Sequence, residues 1–144
     1  MLDTVRVKYP IKPTDEQLEC WKHTSKQDRD GVPWEKYIYN FKVDDALYRY
    51  TFYPIGYAGN PVLTLEVSLP KAIFGNNYLM ISDIEEAIEI INEKICTIPF
   101  VPILDIGEGK VIRLDMCYNH QVGDTVQDYI RALSNLEYPH RRTK

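Results

Sequence analysis

Residues 109–120 alternate between apolar and polar side chains, and this period of two predicts a β-strand with two different faces. One face of the predicted strand carries the side chains of Ile112, Leu114, Met116 and Tyr118. The opposite face carries the side chains of Val111, Arg113, Asp115, Cys117 and Asn119. Arg113 and Asp115 therefore share a face in mid-strand, where a carboxylate could hold a metal ion or orient a phosphate. Their spacing favours the simpler interpretation, a surface ion pair that contributes little to stability.

Length, charge and cysteine usage bound the class of protein. The 144 residues suffice for one domain with its own core, so residues 1–144 are predicted to form a single domain. The three cysteines are widely spaced, give neither a disulfide framework nor a zinc site, and indicate a reducing cytoplasm. No apolar run reaches the ~18 residues of a membrane span, so no membrane partner is expected. The net charge of −4 is not typical of a protein that coats nucleic acid.

Four further segments with β-strand character extend the predicted sheet. They cover residues 2–9, 35–43, 47–55 and 61–69. Asp44 and Asp45 are predicted to form a tight hairpin turn between the second and third segments. The aromatic residues of the third segment are Tyr48, Tyr50, Phe52 and Tyr53. Core packing is the favoured interpretation of this set, and stacking on nucleic-acid bases is the alternative.

Helix signals fall between the predicted strands. The sequence Thr-Asp-Glu-Gln at residues 14–17 is a capping box, which predicts a short helix that turns Leu18 and Trp21 inward. The sequence Ser-Asp-Ile-Glu at residues 82–85 is a second capping box and predicts a helix over residues 82–95. The apolar stripe of that helix consists of Ile84, Ala87, Ile88, Ile91 and Ile95.

Three other segments are assigned from composition and turn signals. Residues 22–33 are predicted to be a mobile basic loop, with a solvated connection favoured over a DNA contact. Residues 70–77 are predicted to break the sheet as a short turn or helical piece. A last helix is predicted to begin at Gly123 and Asp124. Its inner stripe would consist of Val126, Tyr129, Ile130, Leu133 and Leu136.

This order of elements predicts an α+β fold, in which a mainly antiparallel sheet of about five strands has helices packed on one face. The other face of the sheet is left open. If Glu66 and Asp115 lie on neighbouring strands and point to that face, they could share a divalent cation. Oxygen ligands favour Mg²⁺ or Mn²⁺. His120 could add a nitrogen ligand and Asn119 a further oxygen, although a histidine near a strand end is more often a surface residue.

Three segments of the chain carry a resemblance to a known family. Residues 65–77 resemble a Glu-x-Ser-x-Pro-Lys motif followed by Gly-x-Asn, and residues 112–116 contain an Arg-x-Asp motif. Residues 1–10 resemble a first strand of the same family. In this order the segments resemble the replication initiators of filamentous phages and their plasmid relatives, the gene II/X type of rolling-circle protein. Together they span most of the chain.

The resemblance implies a metal-dependent enzyme that nicks and rejoins single-stranded origin DNA. A tyrosine of such enzymes attacks the phosphodiester and becomes linked to the 5′ phosphate, which frees a 3′ hydroxyl. Asp115 and Glu66 are the implied metal ligands, and Arg113 would hold Asp115 or a DNA phosphate. The candidate DNA contacts in the second motif segment are Lys71, Asn76 and Asn77.

Two departures from the family pattern bear on activity. The chain lacks a His-hydrophobic-His strand, and none of its tyrosines matches the nucleophile, Tyr138 being the nearest by position. We therefore expect the chain to be the N-terminal part of an initiator that does not complete nicking alone. The alternative is a non-catalytic module that binds origin DNA or a full-length initiator. An exposed sheet edge could also lead to a homodimer.

Overall fold

One antiparallel sheet organises the computed structural model, which describes residues 2–27, 31–56, 59–76, 79, 81 and 83–116. Its strands are β1 (Leu2–Tyr9), β2 (Lys22–Gln27), β3 (Pro33–Val43), β4 (Ala46–Tyr53), β5 (Val62–Ser68) and β6 (Lys110–Met116). Their spatial order is β2-β3-β4-β5-β1-β6. The helices in this part of the chain are α1 (Asp15–Glu19), α2 (Leu69–Phe74) and α3 (Ile84–Cys96). The predicted α+β class is therefore confirmed, with six strands rather than about five.

The additional strand is β2, so the prediction of a loop over residues 22–33 is wrong for its first half. β2 pairs with β3 from Lys22 opposite Ile38 to Gln27 opposite Pro33. Because β2 is an edge strand whose side chains are almost all exposed, its sequence has no apolar alternation to reveal it. Backbone pairing with β3 holds it in place, and its lysines discourage pairing with a further strand.

One face of the sheet forms the core. Its buried strand residues are Val5, Val7, Tyr9, Ala46, Tyr48, Tyr50, Phe52, Leu63, Leu65 and Val67. Ile91 and Ile95 of α3 and Ala72 of α2 belong to the same cluster, so these helices cover that face. Each large apolar side chain buried in this way contributes about 1.5–3 kcal/mol to stability. Core packing is thus confirmed for the aromatic set of β4, except for the half-buried Tyr53.

Helix starts are fixed by side chains that accept backbone hydrogen bonds. Thr14 and Gln17 form the predicted capping box at the start of α1. At α3 the N-cap is Asp83, whose carboxylate accepts hydrogen bonds from the backbone N–H groups of Glu85 and Glu86. The predicted N-cap, Ser82, is therefore wrong by one residue. The carboxylate of Asp83 accepts hydrogen bonds from the free N–H groups at the start of the helix instead.

The remaining connections agree with their turn chemistry. Asp44 and Asp45 form the predicted tight hairpin, since Val43 opposes Ala46 directly. The predicted break after β5 is α2, and it ends at Gly75, whose φ of 72° suits glycine. Among the described residues, no helix has the length and apolar character needed to cross a bilayer. The last helix predicted from Asp124 onward lies outside the described residues.

β6 lies at the edge of the described sheet, and its pairing with β1 is irregular. Arg113 opposes Arg6, whereas Val111 opposes Val7, so Ile112 is an extra residue, a β-bulge. Val111 consequently lines an apolar cavity on the helix side, and Ile112 lines a groove on the open face beside Arg6. The faces predicted for these two residues are therefore wrong, because the bulge interrupts the period of two.

Gly109 packs closely against β1, and we expect this packing to be needed for β6 to pair with β1. A Cβ at this position would lie 2.7 Å from Tyr9 Cζ and 2.9 Å from Val7 Cβ. The Tyr9 hydroxyl also donates a hydrogen bond to the backbone oxygen of Asp105, at 2.9 Å. We predict that Gly109→Ala lowers the free energy of unfolding by about 1–3 kcal/mol, measured by urea denaturation. Gly107→Ala is the control, since its Cβ would stay at least 3.2 Å from its neighbours; equal stability of the two variants would contradict the prediction.

Candidate nucleic-acid interface

A row of charged side chains crosses the open face of the sheet, opposite to the helices. Arg49 of β4 opposes Glu66 of β5, and Glu66 opposes Arg6 of β1. Arg6 in turn opposes Arg113 of β6. Directly opposed residues of paired strands point to the same face, so these four side chains are neighbours. We call these four residues the arginine row: Arg49, Glu66, Arg6 and Arg113.

Glu66 is the centre of the arginine row. Its Oε2 accepts hydrogen bonds from Nε of Arg6 at 2.6 Å and from the Nη2 of the same guanidinium. Its Oε1 lies 3.5 Å from Arg49 Nη1, and its Oε2 lies 3.9 Å from Arg113 Nη1. With 18% of its side chain exposed, Glu66 is the least exposed charged group of the row. Charge-assisted contacts of this kind hold the guanidinium groups in defined positions.

Arg113 also forms the surface ion pair that the sequence spacing favoured. Its Nε donates to Asp115 Oδ1 at 2.9 Å, and its Nη2 lies 2.8 Å from Asp115 Oδ2. This two-point contact raises the pKa of the Arg113 guanidinium, first through the hydrogen bond and then through the charge of Asp115. Three guanidinium groups and two carboxylates thus meet on the open face, with positive charge in excess.

The predicted cation site consists of two carboxylates that arginines already contact. Glu66 and Asp115 both contact Arg113, but they lie on β5 and β6, which β1 separates, so they are not on neighbouring strands. Each oxygen of both carboxylates already faces a guanidinium group. Within the described ranges, no three His, Cys, Asp or Glu side chains could hold a metal ion together. These residues do not fit a shared cation, and Mg²⁺ or Mn²⁺ binding stays a prediction that also involves His120 and Asn119, outside the described residues.

The candidate DNA contacts of the second motif segment have different surroundings. Lys71 of α2 lines a groove together with Arg49 and Glu66, so the structure places it beside the arginine row. The Asn76 side chain donates to the backbone oxygen of Phe74 at 3.0 Å and accepts from the N–H of Leu79 at 3.1 Å. Asn76 therefore connects the end of α2 with Leu79. Asn77 lies outside the described residues.

Sequence reasoning missed Arg6, Arg49 and Lys36 as candidate site residues. All three line a groove of about 580 Å³ on the open face, whose lining contains no acidic residue. Tyr53 and Thr51 line the same groove and add an aromatic ring and a hydroxyl. The signal was present in the sequence, because each basic residue occupies a polar position of an alternating strand. Only the order of the strands shows that these positions converge.

Charge is segregated between the two sides of the described structure. The exposed carboxylates of α3 belong to Glu85, Glu86, Glu89 and Glu93. They lie on the helix side, whereas basic side chains dominate the open face of the sheet. The net charge of −4 therefore conceals a basic surface, and a local excess of this kind attracts polyanions whatever the overall charge.

Comparison of the chain with protein-family models, with curated proteins and with solved structures found no match. The geometry of the arginine row and the sequence motifs are therefore the two indications of function. Both point to the same residues, because the second motif segment contains Glu66 and the third contains Arg113 and Asp115.

Removing the carboxylate of Glu66 is expected to destabilise the fold. Glu66→Ala would leave the guanidinium groups of Arg6, Arg49 and Arg113 close together without the acid that they share. Breaking a fully buried pair costs about 3–5 kcal/mol and an exposed pair about 0–1 kcal/mol, so a loss of about 1–3 kcal/mol is predicted. Urea denaturation at low and high NaCl measures it, and salt should reduce the loss by screening the repulsion.

Glu35→Ala is the matched control for this experiment. Glu35 is also a strand carboxylate, but its side chain is 51% exposed and its ion-pair partner is His23, at 3.8 Å. Its removal should change the unfolding free energy by about 0.5 kcal/mol or less. If Glu66→Ala were as stable as Glu35→Ala, the arginine row would not be held together by its central acid.

Proposed function

We propose that this chain is part of a rolling-circle replication initiator of the cytoplasm and that the open face of its sheet binds single-stranded origin DNA. The observation that carries the proposal is the convergence of Arg6, Arg49 and Arg113 on Glu66. Guanidinium groups bind phosphate oxygens in a two-point geometry. They contribute more to affinity when other contacts already hold them in place, because less side-chain entropy is lost on binding. Glu66 supplies that ordering from the sheet itself.

The shape of the open face favours a single strand over a duplex. The groove beside the arginine row contains the ring of Tyr53 and the hydroxyls of Thr51 and Thr64. Basic grooves that contain aromatic side chains bind unpaired bases by stacking while they contact the backbone. Lys36, which lies 5.4 Å from the ring centre of Trp34, adds a further cation to this groove.

Nicking and joining belong to the same proposal through the motif resemblance, and the core tyrosines of the described chain do not supply the nucleophile. Burial raises the pKa of Tyr48 to about 12 and that of Tyr50 further still. Both hydroxyls lie in the core, on the side of the sheet away from the arginine row. The engagement of both candidate carboxylates by arginines favours a second candidate function, a module that binds DNA without cleaving it.

Arg49→Gln is predicted to weaken single-stranded DNA binding. The change removes one guanidinium that faces both Glu66 and the open-face groove. We expect about fivefold to twentyfold lower affinity for an oligothymidylate, and a salt dependence that falls by about 0.7–1 in log–log slope. Fluorescence anisotropy at several NaCl concentrations measures both quantities.

Arg49→Lys and Lys94→Gln are the control variants for this measurement. Arg49→Lys keeps the charge but loses the planar two-point geometry, so it should retain an intermediate affinity. Lys94 lies in α3 and pairs with Asp44 at 2.8 Å, away from the open face, so Lys94→Gln should bind as wild type does. Equal affinities for wild type and Arg49→Gln would argue against binding through the arginine row.

A chelation experiment separates the two candidate functions. DNA binding should persist in EDTA, because the arginine row needs no cation to contact phosphates. Mn²⁺-dependent formation of a covalent protein–DNA adduct on a single-stranded origin oligonucleotide, lost in Asp115→Asn, would support the initiator. Binding without any adduct would support the non-catalytic module, whereas loss of binding in EDTA would contradict the role assigned to the arginines.

A further inference from the structure

The β-bulge at Ile112 brings a second pair of basic side chains to the open face. Lys110 and Arg113 are three positions apart, so a regular strand would place them on opposite faces. The extra residue changes this, since Arg113 opposes Arg6 and Lys110 opposes Lys8. Arg6 and Lys8 both point away from the core, because Val5, Val7 and Tyr9 are the buried residues of β1. Bulges commonly re-aim side chains at functional sites.

Lys8 and Lys110 form a pair of like charges, and neither makes an ion pair in the described part of the chain. Two ammonium groups directly opposed on paired strands repel each other and destabilise the sheet. The neighbouring pair, Arg6 with Arg113, is compensated by Glu66 and Asp115. Neither lysine lies within ion-pair distance of a carboxylate in residues 2–116 as far as these are described. The sheet therefore keeps two directly opposed lysines whose charges a bound anion would neutralise.

The surroundings of the two lysines suit a nucleotide. Lys8 and Lys110 line a groove whose surface is largely apolar, and its other lining residues are Tyr9, Pro10, Asn60, Pro61 and Val62. Thr64 lies on the other side of Lys8, directly opposite to it on β5. A charged rim beside an apolar surface can hold a phosphate while a sugar or base rests on the carbon atoms.

We propose that Lys8 and Lys110 bind the phosphate adjacent to the one held by the arginine row, so that the DNA backbone runs along β1. Arg6 and Lys8 are one strand repeat apart, about 6.7 Å, which is the scale that separates neighbouring phosphates of an extended strand. The inference rests on the proposed function, and it adds the direction of the DNA and the position of its second phosphate. A path across the sheet toward Lys36 is the alternative that the test must distinguish.

The test compares two double variants that lose the same charge. Lys8→Gln with Lys110→Gln removes the lysine pair from the open face. Lys12→Gln with Lys94→Gln removes lysines that pair with Asp15 and Asp44 elsewhere on the surface. We expect the first variant to bind oligothymidylate about fivefold to tenfold more weakly than the second, with a log–log salt slope lower by about 0.7–1. Lys36→Gln should have the smaller effect if the backbone follows β1.

Each outcome has a separate meaning. Equal affinities of the two double variants, with binding still weakened in Arg49→Gln, would overturn the path along β1 and leave the proposed function standing. A larger effect of Lys36→Gln than of the lysine-pair variant would establish the path across the sheet and overturn the inference. No binding by wild type would remove the proposed function, and the inference with it. Thermal unfolding of each variant, with a midpoint no more than about 3 °C below that of wild type, confirms that weaker binding does not arise from unfolding.

Discussion

The arrangement of charges on the open face of the sheet depends on the ion pairs of Glu66. Its carboxylate, 18% exposed, meets guanidinium groups from β1, β4 and β6. Without it, Arg6, Arg49 and Arg113 would repel one another; with it, they are held near one another and still carry an excess of positive charge. A group that resembles a metal ligand in sequence thus acts in this structure as the residue that positions arginines.

The two faces of the sheet have different roles, since one stabilises the fold and the other carries the proposed binding surface. The buried face, with Tyr48, Tyr50 and Phe52 at its centre, packs on the helices and provides the apolar burial that stabilises the fold. The open face carries its charges on the same rigid strands, so contacts with a ligand need little rearrangement. Acidic side chains collect on α3, on the helix side, which leaves the basic field of the open face largely unopposed.

The sequence predicted those parts of the structure that depend on local pattern. Alternation identified β1 and β5, residue composition identified β3 and β4, and the capping box at Thr14 identified α1, because each of these signals has a direct local cause. β2 was missed because an exposed edge strand has no apolar period. The prediction of a cation shared by Glu66 and Asp115 depended on which strands are neighbours in the sheet. The faces predicted for Val111 and Ile112 depended on the absence of a bulge. Strand order and bulges arise from long-range pairing, so no local spacing reveals them.

Side-chain NMR tests the central claim most directly, because the Nε–Hε group of each arginine gives its own signal. The measurement is a titration of ¹⁵N-labelled protein with a short oligothymidylate, with signals assigned through Arg→Lys variants. The account predicts that the signals of Arg6, Arg49 and Arg113 shift together, along with backbone amides of β1, β4 and β5. Shifts confined to α3 and the helix side, with the arginine signals unchanged, would contradict it.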